Sequence, residues 1–265
     1  LIPINQNDPN FWDEESLEKE MERVFDICHT CRRCVSLCNS FPSLFDLIDD
    51  SDTMEVDGVD KADYKKVVDQ CYLCDVCYLT KCPYVPPHPW NLDFPHTMLR
   101  AKAIQFKKGT KTKTRDTLLS NTSANGKLAS IPVVTEAVNF ATTNKVARSL
   151  GEKMLGVHKS AWLPKFAKKP FEKSAEISEE LPVLDGKLTK GKVAIYSTCY
   201  INWNEPGIGR DLIEILKVNA IPYIVVEKQD CCGMPKLELG DLDSVEKLKN
   251  ENIPKMAKLA KEGYV

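Results

Sequence analysis

The 265-residue sequence holds no apolar run near the roughly 20 residues that a bilayer-spanning helix needs. Its first ten residues, LIPINQNDPN, lack the basic-then-apolar order of a secretory leader. It opens on Leu1 rather than Met, so a trimmed or partial chain is expected. A dinucleotide fingerprint is also missing. GIGRDL, from Gly207 to Leu212, carries only part of one and is read as a plain helix start. No paired general acid and base stands out, so no catalytic residue is assigned and substrate chemistry is expected on a partner chain. Histidine is scarce, at four residues. His29 and His88 lie in or near the cysteine runs and are read as ordinary surface or loop histidines. These absences leave a soluble cytoplasmic protein with no nucleic-acid partner as the expectation.

Cysteine is abundant, at eleven residues. A secreted disulfide scaffold fits poorly, because such scaffolds are small and these cysteines are tightly clustered and odd in number. CHTCRRCVSLC places Cys28, Cys31, Cys34 and Cys38 within eleven residues, and CYLCDVCYLTKCP places Cys71, Cys74, Cys77 and Cys82 in a second run. Three cysteines at two-residue gaps put three thiolates on one tight turn, with a fourth just beyond. This is the bacterial ferredoxin pattern, in which the fourth cysteine of one run ligates the other run's cluster. Zinc sites more often use two CxxC pairs or mix in histidine.

The pattern predicts two [4Fe–4S] clusters. Cys28, Cys31 and Cys34 pair with Cys82, and Cys71, Cys74 and Cys77 pair with Cys38. Crossed ligation ties the two runs together, so metal binding becomes part of the folding free energy. Two details depart from the simple pattern. The second run has four residues before its last cysteine, and Cys38 is followed by Asn39, whereas Cys82 has Pro83. Arg32 and Arg33 lie inside the first run. Cations near cluster sulfurs raise a reduction potential, but solvated surface arginines are the plainer reading.

Charge is strongly segregated. Residues 1–98 carry 19 acidic and 8 basic residues, and residues 99–175 carry 4 acidic and 16 basic. The basic stretch is expected to dock on an acidic surface, either the inner membrane's anionic cytoplasmic face or a partner subunit. The alternative is a solvated basic face folded against the chain's own acidic part. Met154, Leu155, Trp162, Leu163 and Phe166 supply apolar groups for such an interface.

Hydrophobic spacing predicts helices over DEESLEKEMERVFDIC, with Leu17, Met21, Val24 and Phe25 on one face, and over FPSLFDLI, ADYKKVVDQC and HTMLRAKAIQFKKG, the last closed by Gly109. PYVPPHPW reads as extended loop. Residues 11–109 are therefore a small helical domain around the cysteine runs. Residues 110–190 read as a basic helical connector without visible chemistry. PVVTEAVNFATTNKVARSLGEKMLG is expected there as one helix, and AWLPKFAKKPFEKSAEISEELP as a proline-broken linker. Residues 191–265 alternate strand and helix. KVAIYSTC is a strand ending in Cys199, GIGRDLIEILKVN a helix, AIPYIVVE a strand, KQDCCGMP a loop, and DLDSVEKLKNENIPKMAKLAKEG a helix. That order means an α/β unit with a parallel sheet. The fold class is thus α plus α/β.

STCYINWNEPGIGRDLIEIL and QDCCGMP resemble the cysteine-rich CCG domain of the heterodisulfide reductase family and its relatives. With the two runs before them, they resemble the family of iron–sulfur proteins that includes the C subunit of anaerobic glycerol-3-phosphate dehydrogenase. The resemblance implies a helical dicluster ferredoxin domain and a CCG domain truncated here. In that family a CxxC follows the paired cysteines by some 35 residues, so the chain is expected to continue past Val265. It implies electron transfer from a flavoprotein dehydrogenase partner towards the CCG site or a membrane quinone. It also implies a metal site, a candidate third iron–sulfur cluster, at Cys199, Cys231 and Cys232. A heterodisulfide-reductase-like enzyme with its catalytic cluster at the CCG site is the alternative.

Overall fold

The computed structural model describes residues 4–109, 114–174, 191–227 and 229–265. The chain folds as two compact units, residues 1–112 with 236–242, and residues 113–235 with 243–265. Among the described residues the architecture is mostly helical, with one two-stranded parallel sheet.

In the first unit, α1 (Glu14–Cys31) begins where the Asp13 side chain accepts a hydrogen bond from the Ser16 N–H at 2.7 Å. Glu14 and Glu15 add negative charge at the positive end of the helix. The anticipated face, Leu17, Met21, Val24 and Phe25, is buried. It packs with Phe41, Leu44 and Ile48 of α2 (Ser40–Asp49) and Val67 and Val68 of α3 (Tyr64–Gln70) in one core. Phe94, Met98 and Leu99 of α4 (Phe94–Lys107) complete that core. The buried Ser40 hydroxyl donates to the Val67 carbonyl at 2.8 Å, which fastens α2 to α3. Gly109, at φ +68°, ends α4 as anticipated, because an L side chain is strained there.

The proline-rich segment differs from the expectation. Residues 83–90 form successive turns and bends rather than an extended loop. His88 N–H donates to the Val85 carbonyl and Leu92 N–H to the Tyr84 carbonyl, while the rings of Tyr84, His88 and Trp90 pack together within 5.3 Å. Aromatic contact folds back a chain that proline alone would leave open.

Asp93 starts α4. One carboxylate oxygen accepts the His96 backbone N–H at 3.0 Å, and the other accepts the His96 Nδ1–H at 2.6 Å. This hydrogen bond lifts the His96 pKa above its ordinary 6.5. A raised folded-state pKa gives a stability contribution that is complete below about pH 6.5 and fades as pH rises through the raised value. In Asp93→Asn the amide still caps the helix but carries no charge. The His96 titration followed by NMR is therefore expected to fall back towards 6.5, and the pH dependence of the urea midpoint across that window to flatten. An unchanged His96 pKa would reject this assignment.

In the second unit the basic stretch is built of α5 (Thr114–Ser120), α6 (Thr122–Ala129), α7 (Pro132–Thr143) and α8 (Lys145–Leu155). The single helix expected over residues 132–156 is broken at Asn144. Its backbone is extended, and its side chain accepts the N–H groups of Val146 and Ala147 at 3.0 and 3.1 Å. Asn competes with helical continuation by capping a new start. Residues 161–174 also depart from linker behaviour. Phe166 N–H and carbonyl both bond the Asn139 side chain at 2.8 Å. Phe171, opening α9 (Phe171–Ser174), is fully buried with Ile195, Ile213, Leu216 and Tyr223. The rest of the expected linker, residues 175–182, lies outside the described residues.

β1 (Val193–Ile195) pairs in parallel with β2 (Tyr223–Val225), Val193 opposite Tyr223. The first strand is shorter than the sequence suggests. Cys199 lies in α10 (Thr198–Trp203) rather than at a strand end. α11 (Pro206–Val218) crosses between the strands. Its Gly209 explains itself by packing: a Cβ there would meet the Phe171 ring at 2.5 Å. Likewise, a Cβ on Gly126 of α6 would meet the Trp203 indole at 2.3 Å. α12 (Met234–Leu239) and α13 (Leu242–Lys261) follow the CCG loop.

Candidate metal centre

Cys28 and Cys31 occupy the last turn of α1, one above the other. Arg32 then takes a left-handed conformation, φ 49°, and turns the chain so that Cys34 follows at once. In the second run, Leu73 and Asp75 are also left-handed, φ 55° and 58°, and curl the backbone around Cys71, Cys74 and Cys77. The extra residue before the last cysteine is absorbed by a π-helical turn over Cys77–Lys81, closed by Cys82 N–H donating to the Cys77 carbonyl at 2.9 Å. Such turns often mark functional positions.

This winding brings Cys28, Cys31, Cys34 and Cys82 to the walls of one recess, which is otherwise largely apolar through Phe41 and Leu92. Burial pushes the Cys34 thiol up to about 11, with nearby Cys82 and Cys31 adding to it. Burial raises Cys28 and Cys82 as well. On the other side, Cys71 stands near Cys38 and Cys74. Burial lifts Cys77 to about 12, helped by Cys34, Cys71 and Cys38. Crowded, desolvated thiols resist ionising by themselves, whereas bound cations favour thiolate. No group of three His, Cys, Asp or Glu side chains among the described residues has single-ion geometry; the first group's thiols ring a recess instead. A four-thiol donor set with apolar walls fits an iron–sulfur cluster.

The two arginines of the first run separate. Arg32 pairs with Asp49 and lies over the Phe45 ring at 5.1 Å, so it serves the fold. Arg33 lines the recess and favours ionisation of Cys82. His29 and His88 do not line it. Tyr84 does, and its hydroxyl is hydrogen-bonded to Cys31. Tyr84 was not singled out in the sequence, where only its position two residues past Cys82 hints at it.

The third cysteine group also assembles. Cys199, in the first turn of α10, and Cys232 are both hydrogen-bonded to Cys231. Cys231 also accepts the Gly233 N–H at 3.4 Å and stands 3.3 Å from the Thr122 hydroxyl. These donors hold the Cys231 pKa far below the ordinary thiol value, while the same hydrogen bonds raise Cys199 and Cys232. Gly233, at φ +93°, permits the turn after the paired cysteines. Asn252 of α13 pins the loop by donating to the Cys231 carbonyl at 3.1 Å. A cavity of about 400 Å³ opens beside the group, lined by Cys199, Cys231, Ser123, Lys127, Glu172 and Gln229. The basic stretch, in which the sequence shows no chemistry, therefore supplies Thr122, Ser123 and Lys127.

One recess ringed by four cysteines drawn from both runs, and a CCG loop on an α/β unit, are the arrangement of an iron–sulfur protein. Residues 21–108 match the Citrate utilization protein B Fer4-like domain, and residues 193–263 match the CCG cysteine-rich domain. The chain is 27% identical to the C subunit of anaerobic glycerol-3-phosphate dehydrogenase from Escherichia coli K12 over 143 residues, covering 52% of this chain and 34% of that protein. Citrate utilization protein B of Escherichia coli is 31% identical over 85 residues, 32% of this chain and 20% of that one. The B subunit of the CoM/CoB fumarate reductase from Methanothermobacter marburgensis is 29% identical over 79 residues, 30% of this chain and 15% of that one. The chain thus spans about a third or less of the length of these relatives. No solved structure matches it. Among the described residues no helix is long and apolar enough to cross a membrane.

Proposed function

We propose that this chain is an electron-transfer component of a larger complex. It takes electrons from a flavin-dependent dehydrogenase partner, with glycerol-3-phosphate dehydrogenase the favoured type, and passes them towards the CCG site or a membrane quinone. The observation that carries the reading is the recess lined by Cys28, Cys31 and Cys34 of one run and Cys82 of the other. When bound there and at Cys71, Cys74, Cys77 and Cys38, two [4Fe–4S] clusters would supply one-electron steps. The chain's own part is to hold and tune. Phe41 and Leu92 wall off water, Tyr84 donates towards Cys31, and Arg33 places positive charge beside Cys82. Two of the relatives are named as subunits, which supports a multi-chain setting.

A second reading has its own support. Cys199, Cys231 and Cys232 meet beside a cavity with polar walls, as a heterodisulfide-reductase-like catalytic cluster would require. Iron and sulfide analysis of the anaerobically reconstituted chain, with EPR after reduction, tests the first reading. About eight irons at the two ferredoxin sites are expected. Fewer than about six, or a colourless zinc protein, would reject it. In Cys199→Ser, loss of about four further irons from a total near twelve would favour a third cluster at the CCG site.

A further inference from the structure

We propose that the face formed by α8 and the loop that follows it docks on an anionic phospholipid bilayer. α8 has no buried residue. Val146, Leu150 and Met154, spaced four apart, form an apolar stripe and are 78%, 58% and 74% exposed. Trp162, on the loop after the helix, is 74% exposed. A helix whose apolar stripe stays in water, although it is held in a folded unit, has its partner outside that unit.

Charge identifies the partner. Beside the stripe lies a cavity of about 780 Å³ whose lining includes Lys145, Arg148, Lys159, Lys165 and Trp162, with Glu205 the one acid among its lining residues. Among the described residues no carboxylate pairs with Lys145, Lys159 or Lys165. Arg148 has a different task. Its guanidinium donates to the carbonyls of His158, Lys159 and Ala161 at 2.8, 3.1 and 2.7 Å. It holds the loop that carries Lys159 and Trp162 against the helix, so the cations and the indole are set in place before any ligand arrives.

Each feature answers one layer of a membrane surface. Aliphatic side chains reach the boundary between headgroups and acyl chains, an indole sits at headgroup level, and unpaired lysines meet lipid phosphates. The chain as a whole carries a net charge of −2, so attraction to an anionic surface belongs to this face and not to the molecule's overall charge. The inference extends the quinone-directed arm of the electron-transfer reading without depending on the clusters. Vesicle binding and iron content are separate readouts, and either can fail alone.

The test is co-sedimentation of the full chain with vesicles of phosphatidylglycerol and phosphatidylcholine, against vesicles of phosphatidylcholine alone. Binding to the anionic vesicles only, released by raised salt, is expected. Lys145→Gln and Lys159→Gln should each weaken it about fivefold, and Leu150→Ser should weaken it further. Lys19→Gln, on a different helix and paired with Glu15, should leave it unchanged. These exposed positions leave the cores untouched, which unchanged circular dichroism of each variant checks. Equal binding to both vesicle types, or none, overturns the proposal, and absence of binding leaves the face to a protein partner. Binding that ignores Lys145, Lys159 and Leu150 also overturns it. A soluble arm with inorganic phosphate, read by Trp fluorescence, separates the sources. A phosphate response that depends on Lys145 and Lys159, without vesicle binding, would make this a free-phosphate site and reject the membrane.

Discussion

Cys82→Ser is expected to strip the cluster held by Cys28, Cys31 and Cys34 and to spare the other. Cys82 belongs to the second run in sequence, yet it lines the first run's recess. The π-helical turn over Cys77–Lys81 carries it away from Cys77, its nearest sequence neighbour among the ligands. A serine hydroxyl is a hard, weakly acidic donor and a poor substitute for thiolate at an iron–sulfur cluster. Iron should therefore fall by about four per chain, and the reduced EPR signal should simplify to one species. Cys38→Ser should give the mirror result, with the Cys28-side cluster surviving. Selective loss of the Cys71-side cluster in Cys82→Ser would mean that each run ligates its own cluster. Equal loss of both clusters in both variants would mean that the runs fold only together, and would leave no support for separable sites.

Phe171→Ala should destabilise the second unit by about 3–5 kcal/mol, the usual penalty for emptying a buried aromatic site. The ring is fully buried among Ile195, Ile213, Leu216 and Tyr223, and it fills the space left by the absent side chain of Gly209. Urea denaturation followed by the fluorescence of Trp203, which packs over Gly126 of the same unit, measures the effect. Phe171→Leu keeps most of the volume and should lose far less. Because domains of this size have only about 5–15 kcal/mol of net stability, the alanine variant should also lose soluble yield. A midpoint unchanged by Phe171→Ala would restore the linker reading of residues 161–174.

Cysteine spacing alone was enough to point to iron–sulfur ligation, because ligand identity and pitch are local properties of the chain. The apolar face of α1 and the Gly109 stop of α4 were legible for the same reason. Each is fixed by residues within a few positions of one another, and the core then only has to accept them. The parallel pairing of β1 and β2 followed from strand–helix–strand order. Even the departure in the second run was visible as one residue too many.

What the chain does with that residue was decided by the three-dimensional fold. A π turn and two left-handed residues are costly by themselves and persist because the surrounding core holds them. The break at Asn144 likewise follows from side-chain capping that a periodicity count does not register. The meeting of Thr122 with Cys231 spans 109 residues of sequence. The burial of Phe171 depends on a glycine far downstream, Gly209. No local pattern encodes such pairs, since the energy that forms them is packing between surfaces that exist only after both have folded.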